Sequence, residues 1–573
     1  MGFCDYRYAG DGKRNEASKP YWLKGLHCGA CPSLSLLARY LSRNIERPNT
    51  FVPRDLLLLR ERFRVATPMI AFIAIYTAMC AFNFGFDVGN FGGVQAMQPF
   101  ARKFGQLDPK TGLYFLPSYL SSVMTATPFF GKLIGALACG PICERWGRRA
   151  ALAVLACISV VGVTLQTGAT TTAQFTIGRI VNFAMTGFCI IVVPVYQAEC
   201  TPPQLRGLTT SVIQMMIIVG QLVASLINLG TKSIPSDASW RIPVGLQLVM
   251  PAVLLALWPL VPESPRWLLA RNREDDAKRA LRRLQSGRLS EGELERALQT
   301  LRESLKDTQK GPWREVFDRN NRLRTWIAVV AMVGQQITGQ AFVSQYAAVF
   351  YQRNGFASQA LLFTMVSNVT GLAGTVLAWT VVDGFGRRPI LLIGGFFMGA
   401  FLYIVGIVST IHHPSRDARN LLVAAISLFN MAYNMSWAPV SYIVLGEVTN
   451  TRVREKTSLL ACSISIVVTF LTSFTMPYLL NPGYAGLGGK VGFVYGSLCF
   501  AMNVAAYLVV PEMKGRSLEE IDALFAAGVP LRRFRGAVLP EEAAAAAAAT
   551  AASVSVCEDD EEKRRSEKDV VIV

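Results

Sequence analysis

The chain of 573 residues is 51% hydrophobic and only 17% charged, too apolar a balance for one soluble domain of that length. Its formal net charge of +18 would point to nucleic acid in a soluble protein. In a membrane chain the question becomes which loops carry that charge.

In chain order, about 66 polar, basic residues come first, with no cleavable-looking signal, so the first span is expected to act as an uncleaved anchor. Cys28 and Cys31 form a lone CxxC with no second ligand pair nearby, so no metal site is assigned. Most other cysteines lie within apolar blocks and read as small hydrophobes. Six blocks follow: Thr67 to Gly93, Phe115 to Ala138, Ala150 to Gly168, Ala173 to Gln197, Leu208 to Gly230 and Ile242 to Val261. Each is long enough to cross an apolar core of roughly 30 Å at about 1.5 Å per residue. A polar linker separates them from six more: Leu323 to Tyr351, Leu361 to Val382, Pro389 to Thr410, Leu421 to Gly446, Thr457 to Leu480 and Val491 to Val510. The fold class is therefore an all-α membrane protein of twelve transmembrane helices.

The expected organisation is a cytoplasmic N-terminal segment (1–66), a six-helix bundle (67–261), a cytoplasmic linker with short amphipathic helices (262–322), a second six-helix bundle (323–510) and a mostly disordered tail (511–573). The basic residues favour one face. Arg145, Arg148 and Arg149 follow the second span, Lys and Arg crowd the linker, Arg387 and Arg388 follow the eighth, and Arg452, Arg454 and Lys456 follow the tenth. By the positive-inside rule that face is cytoplasmic and both termini lie there.

The two halves repeat. Glu144-Arg145-Trp146-Gly147-Arg148-Arg149 after the second span returns as Asp383-Gly384-Phe385-Gly386-Arg387-Arg388 after the eighth. Glu199 with Arg206 returns as Glu447 with Arg454, and Pro262-Glu263 as Pro511-Glu512. A shared offset of about 240 residues implies two bundles related by a parallel repeat, the plan of rocking transporters with a central site. The paired arginines are expected to hold the carboxylates Glu144, Glu199, Glu263, Asp383, Glu447 and Glu512 by charge-assisted bonds that form in one orientation and break in the other.

Asp87 stands in the glycine-rich end of the first span, and Arg179 early in the fourth. An ionisable pair inside the membrane is costly, and reads either as a carboxylate that loads and releases a proton or as a static tie between helices. Gln214 and Gln221 share a face of the fifth span, and Gln335, Gln336 and Gln345 cluster in the seventh. Amides that donate and accept suit a hydroxyl-rich solute, while polar glue between helices is the competing account. Trp379, Trp437, Tyr346 and Tyr442 offer aromatic faces to a sugar ring.

These residues resemble the sugar porter family of the major facilitator superfamily, in the style of fungal sugar/H+ symporters. The likeness runs from about Thr67 to Leu524 through GFDVGNFGG, ERWGRR, Gly178-Arg179, PVYQAECTPPQLRG, PESPRWL, QQITG, DGFGRR and PEMKGRSLEEID. It implies a proton-coupled symporter importing a sugar or related polyhydroxylated solute by alternating access. Asp87 would carry the proton with Arg179 as partner. Gln214, Gln335 and Gln336 would contact the sugar, with Trp437 near its ring. Ala341, Gln345-Tyr346, Ser465 and Ile466 depart from the hexose pattern, and Asn450 and Glu455 from the loop after the tenth span. A disaccharide, a polyol or a quinate-like acid therefore stays open. The expected partners are a small sugar or polyol, protons and the lipid bilayer, with the chain working as a monomer in the plasma membrane. No cofactor, metal or nucleic acid is expected. A nutrient sensor of transporter fold, or an exporter of a sugar-like secondary metabolite, are the other readings. An enzyme is disfavoured because no nucleophile, metal or phosphate-binding constellation is present.

Overall fold

The computed structural model describes residues 67–537 except 108, 110, 111, 113, 289, 308–310, 357, 412–414 and 482, and describes the backbone alone at 203, 204, 206–208, 210, 304, 306, 307 and 383. Cys28, Cys31, the rest of the N-terminal segment, and the tail from 538 onward lie outside the described residues. So do the side chains of Arg206 and Asp383.

Among the described residues, twelve helices are long and apolar enough to span a membrane: span 1 Pro68–Val94, span 2 Ser118–Trp146, span 3 Arg148–Thr167, span 4 Thr172–Cys200, span 5 Ser211–Thr231, span 6 Ala238–Leu260, span 7 Arg322–Phe356, span 8 Ala360–Val382, span 9 Arg387–Val408, span 10 Arg416–Val448, span 11 Arg454–Leu480 and span 12 Gly488–Val509. The packing repeats. Spans 1 and 5, 2 and 4, and 3 and 4 associate in the first half, as 7 and 11, 8 and 10, and 9 and 10 do in the second. Each half has its own core, built around Tyr76, Leu155, Phe188 and Tyr196 in the first and Phe350, Met398, Phe429 and Trp437 in the second.

Helix association inside lipid has no hydrophobic drive and depends on close approach. Gly85 and Gly89 of span 1 lie directly on the span 5 backbone at Ile217 and Gln221, and Gly131 and Gly135 of span 2 lie on span 4 at Ile180 and Ala184. A Cβ on Gly85 would collide with the Ile217 carbonyl, which is backbone and cannot yield as a flexible side chain would. Gly85→Ala is accordingly expected to destabilise the protein by about 1–3 kcal/mol. A lower melting temperature in detergent would register this; an unchanged one would contradict the packing.

The apolar blocks understate several helices. Span 2 runs on through Glu144 to Trp146 and stops only at Gly147, whose φ of 94° ends the helix; Gly386 (φ 100°) does the same after span 8. Two spans are broken. Span 10 is interrupted at Ser436 (φ −123°, ψ −85°), because Pro439 supplies no N–H to a carbonyl four residues back. Span 7 loosens into π turns at Phe342–Tyr346 and Gln352–Phe356, beyond Gly339 at φ 93°. Between the halves run helices Pro265–Ala270, Glu274–Leu284 and Glu291–Asp307, with Leu268, Leu269, Ala277 and Ala280 buried between them.

The first part of the tail, to residue 537, is among the described residues. Helix Leu518–Ala526 is capped by Ser517 and held to the base of span 7 by Arg324, which binds Asp522. Leu524 and Phe534 are buried there. Apolar residues at helical spacing within a charged stretch were enough to dock it.

Candidate functional site

The paired GRR turns are built alike. Glu263 accepts from the backbone N–H groups of Arg148 (2.9 Å), Arg149 (3.1 Å) and Ser264 (2.9 Å), capping the start of span 3. Glu512 accepts from those of Arg387 (3.1 Å), Arg388 (3.1 Å) and Lys514 (2.9 Å), capping span 9. A carboxylate on three N–H donors at a helix start meets both their hydrogen-bonding need and the helix dipole. Gly147 and Gly386 are required there, since a Cβ would meet these carboxylates. Burial pushes the Glu263 carboxyl above the ordinary glutamate range while the N–H donors and Arg148 pull it down. On acidification this cap therefore loses its charge before exposed glutamates do. Removing the carboxylate by Glu263→Ala strands the N–H donors, and the expected loss is about 1–3 kcal/mol of stability, with Glu263→Gln costing less. Paired melting curves would check this; equal losses would contradict the cap.

The arginine side chains turn to the neighbouring span. Arg148 grips Glu199 with two bonds of 2.8 Å, and Arg387 grips Glu447 at 2.9 and 3.2 Å. Arg149 lies over the Trp258 ring at 4.4 Å and Arg388 over that of Tyr507 at 4.7 Å. Each arginine–glutamate pair joins spans of a single bundle, 3 to 4 or 9 to 10. Glu144 is exposed, and its backbone carbonyl accepts from Trp267 and Arg271 of the linker. Arg454 keeps Nε and Nη2 without a hydrogen-bond partner among the described residues.

Bonds between the bundles gather at the opposite end. Ser122 donates to the Phe474 carbonyl (2.8 Å), Gln352 to that of Ala96 (2.7 Å) and Asn368 to Ser225 Oγ (2.7 Å). Asn481 also binds Ser118, and Gln95 donates to the Gln345 carbonyl. An aromatic cluster of Phe91, Phe100, Phe104, Phe175 and Trp240 packs beneath that seal.

Asp87 is 2% exposed and Arg179 3%. They do not form an ion pair. The Arg179 guanidinium lies 3.7 Å above the Phe91 ring and 5.2 Å from that of Phe183, and its Nε and Nη1 have no hydrogen-bond partner. Asp87 is approached instead by the amides of Asn182 and Gln247, with Oδ2 unpartnered. Asn182 is held in turn: Ser159 donates to its Oδ1 (3.1 Å), and Asn83 donates to Ser159 (3.1 Å). Sequence reasoning missed this polar chain across spans 1, 3, 4 and 6, although each member is visible as a polar residue in an apolar block.

The glutamines divide. Gln335 donates to the Ala438 carbonyl (2.8 Å) beside the span 10 break, and Gln336 donates to Gln335 Oε1 (3.0 Å). Gln345 Oε1 is enclosed without a partner, while Gln214 and Gln221 are partly buried on span 5. Tyr346 is buried, its hydroxyl donating to the Ser473 carbonyl (3.0 Å). Trp437 is placed differently from expectation. It is fully buried, its indole N–H donates to the Leu391 carbonyl (3.1 Å), and its ring fills the space beside Gly334. Tyr442, beyond the break on the same span, is 42% exposed and neighbours Cys462 of span 11 and Cys189 of span 4. Trp379 of span 8 is 39% exposed.

The family model described as "Sugar (and other) transporter" matches residues 73–525. The high-affinity glucose transporter ght2 of Schizosaccharomyces pombe is 27% identical over 462 residues, 79% of this chain and 86% of that one. The major facilitator-type transporter ecdD of Aspergillus rugulosus is 29% identical over 477 residues, 79% of this chain and 86% of that one. Among solved structures, the inward-open xylose transporter XylE from E. coli superposes with a TM-score of 0.66 at 24% identity, covering 79% of this chain and 99% of that one. The proton:xylose symporter XylE bound to 6-bromo-6-deoxy-D-glucose gives 0.62 at 25%, covering 80% and 99%.

Proposed function

Because the chain belongs to the Sugar (and other) transporter family and has the major facilitator fold of two six-helix bundles, we propose that it imports a sugar or related polyhydroxylated solute together with a proton, by alternating access. The observation that carries the proton claim is Asp87: a carboxyl enclosed in the membrane with one oxygen unpartnered, beside an arginine parked on an aromatic face. That arrangement suits a protonated acid. Swinging Arg179 off Phe91 towards Asp87 would favour the charged form and discharge the proton, since a nearby cation stabilises a carboxylate. The glucose and xylose carriers among the relatives support the solute class.

The described state has its bundles bonded at the end away from the GRR turns, so the site would open at the GRR face. The positive-inside rule makes that face cytoplasmic and the termini with it, in a plasma-membrane carrier working as a monomer. The bidentate pairs keep each bundle rigid while the bundles rock, and Arg454, with two donor nitrogens unpartnered among the described residues, has donors to spare for a tie formed in the other orientation.

Gln335, Gln336, Gln345, Gln214 and Gln221, with Tyr442, would hold the solute's hydroxyls and ring. In this reading Gln336→Ala raises the KM for the transported solute roughly tenfold, the loss of one to two hydrogen bonds, with the maximal rate less affected. Concentration-dependent radiolabelled uptake in a transporter-deficient host, screened over hexoses, pentoses, disaccharides, polyols and quinate with and without a protonophore, identifies the solute and tests the coupling. Uptake indifferent to the protonophore would count against it.

A further inference from the structure

One residue of the central region remains outside this account. Lys132 stands at the middle of span 2, fourteen residues from either end (Ser118–Trp146), at the depth where an ammonium group is most costly. It cannot move to either water face, because the half-span in each direction is longer than its side chain. No carboxylate pairs with it among the described residues. Its Nζ lies 4.9 Å from the Phe84 ring of span 1, and the thiols of Cys462 (span 11) and Cys189 (span 4) lie within electrostatic reach. The residue is only partly buried.

Its position is between the bundles. One turn along span 2, Phe129 packs with Ile466, one turn along span 11 from Cys462. Tyr442 of span 10 lies within electrostatic reach of the same two cysteines, which places the ammonium and the phenol in one region of the molecule, where spans 2, 4, 10 and 11 come together. A cation held at mid-span between the bundles, with no carboxylate paired to it among the described residues, is incomplete until an anion arrives.

Resting on the transport reading above, we propose that the solute carries a carboxylate, a polyhydroxylated acid in place of a neutral sugar, and that Lys132 is the residue that recognises its charge. Three donors on Lys132 bind the carboxylate, while the glutamines and Tyr442 take the hydroxyls. One monoanion moving with one proton is electroneutral. Uptake then follows the pH gradient and is indifferent to membrane potential.

The test uses the full chain in proteoliposomes, with labelled D-gluconate, D-galacturonate and quinate against D-glucose, D-galactose and sorbitol. The wild type is expected to take up at least one acid about tenfold faster than the neutral series, without response to an imposed potassium-diffusion potential. Lys132→Met is expected to lose at least tenfold of acid uptake while neutral uptake changes less than twofold, and Lys132→Arg to retain more acid uptake than Lys132→Met. Should Lys132→Met fail to fold by gel filtration, the wild-type preference and its indifference to potential decide the matter. Uptake of neutral sugars alone, or an acid preference kept undiminished by Lys132→Met, overturns the inference and leaves transport standing. A wild type that moves neither series overturns the transport reading and this inference together.

Discussion

Asp87→Asn is expected to abolish accumulation of the transported solute while leaving exchange across the membrane intact. One proton per solute lets a pH difference of one unit, about 1.4 kcal/mol, sustain about tenfold accumulation. Asparagine matches the carboxyl in size and can still bond Asn182 and Gln247, so the helix packing around it persists. It cannot exchange a proton. The internal-to-external ratio should therefore fall to about one, with counterflow preserved. Accumulation surviving the substitution would remove Asp87 from the coupling, and loss of counterflow as well would make its role structural.

The second large effect concerns the seal between the bundles. Asn481 of the segment after span 11 binds Ser118 at the start of span 2, and the proposed alternating access requires them to part. The double variant Ser118→Cys, Asn481→Cys, oxidised to a disulfide, is expected to stop at least about nine-tenths of transport, because a bond of about 2 Å cannot follow the bundles apart. Reduction should restore it, and each single variant should be insensitive to oxidant. Full transport by the cross-linked protein would mean that this end does not open.

Much of the fold was legible in the sequence for physical reasons. Lipid leaves helices as the form in which a span can satisfy its own backbone, so twelve apolar blocks became twelve helices. The repeated GRR turns were visible because the geometry they serve, a glycine at positive φ with a carboxylate on the next helix start, tolerates few residue types. What those turns do was less legible. Charge alone does not tell a pair within a bundle from a pair between bundles, and Arg148–Glu199 and Arg387–Glu447 are both within.

The site was legible by residue type and less so by direction. Pro439 breaks span 10 at Ser436, rotating Trp437 into the core of the second bundle and leaving Tyr442 exposed; a continuous helix drawn through the sequence does not show this. Arg179 was paired with Asp87 on charge, yet Phe91 takes the guanidinium in this state. Lys132 escaped notice because one lysine within Gly131 to Leu137 scarcely changes an apolar average, although its cost at mid-span is large.

The claim on which the rest depends is that solute and proton cross together. Purified protein in vesicles holding a trapped pH-sensitive dye, at equal pH inside and out, tests it directly: an inward solute gradient should acidify the interior in the wild type and not in Asp87→Asn. Labelled solute entering wild-type vesicles with no change in internal pH would contradict the account.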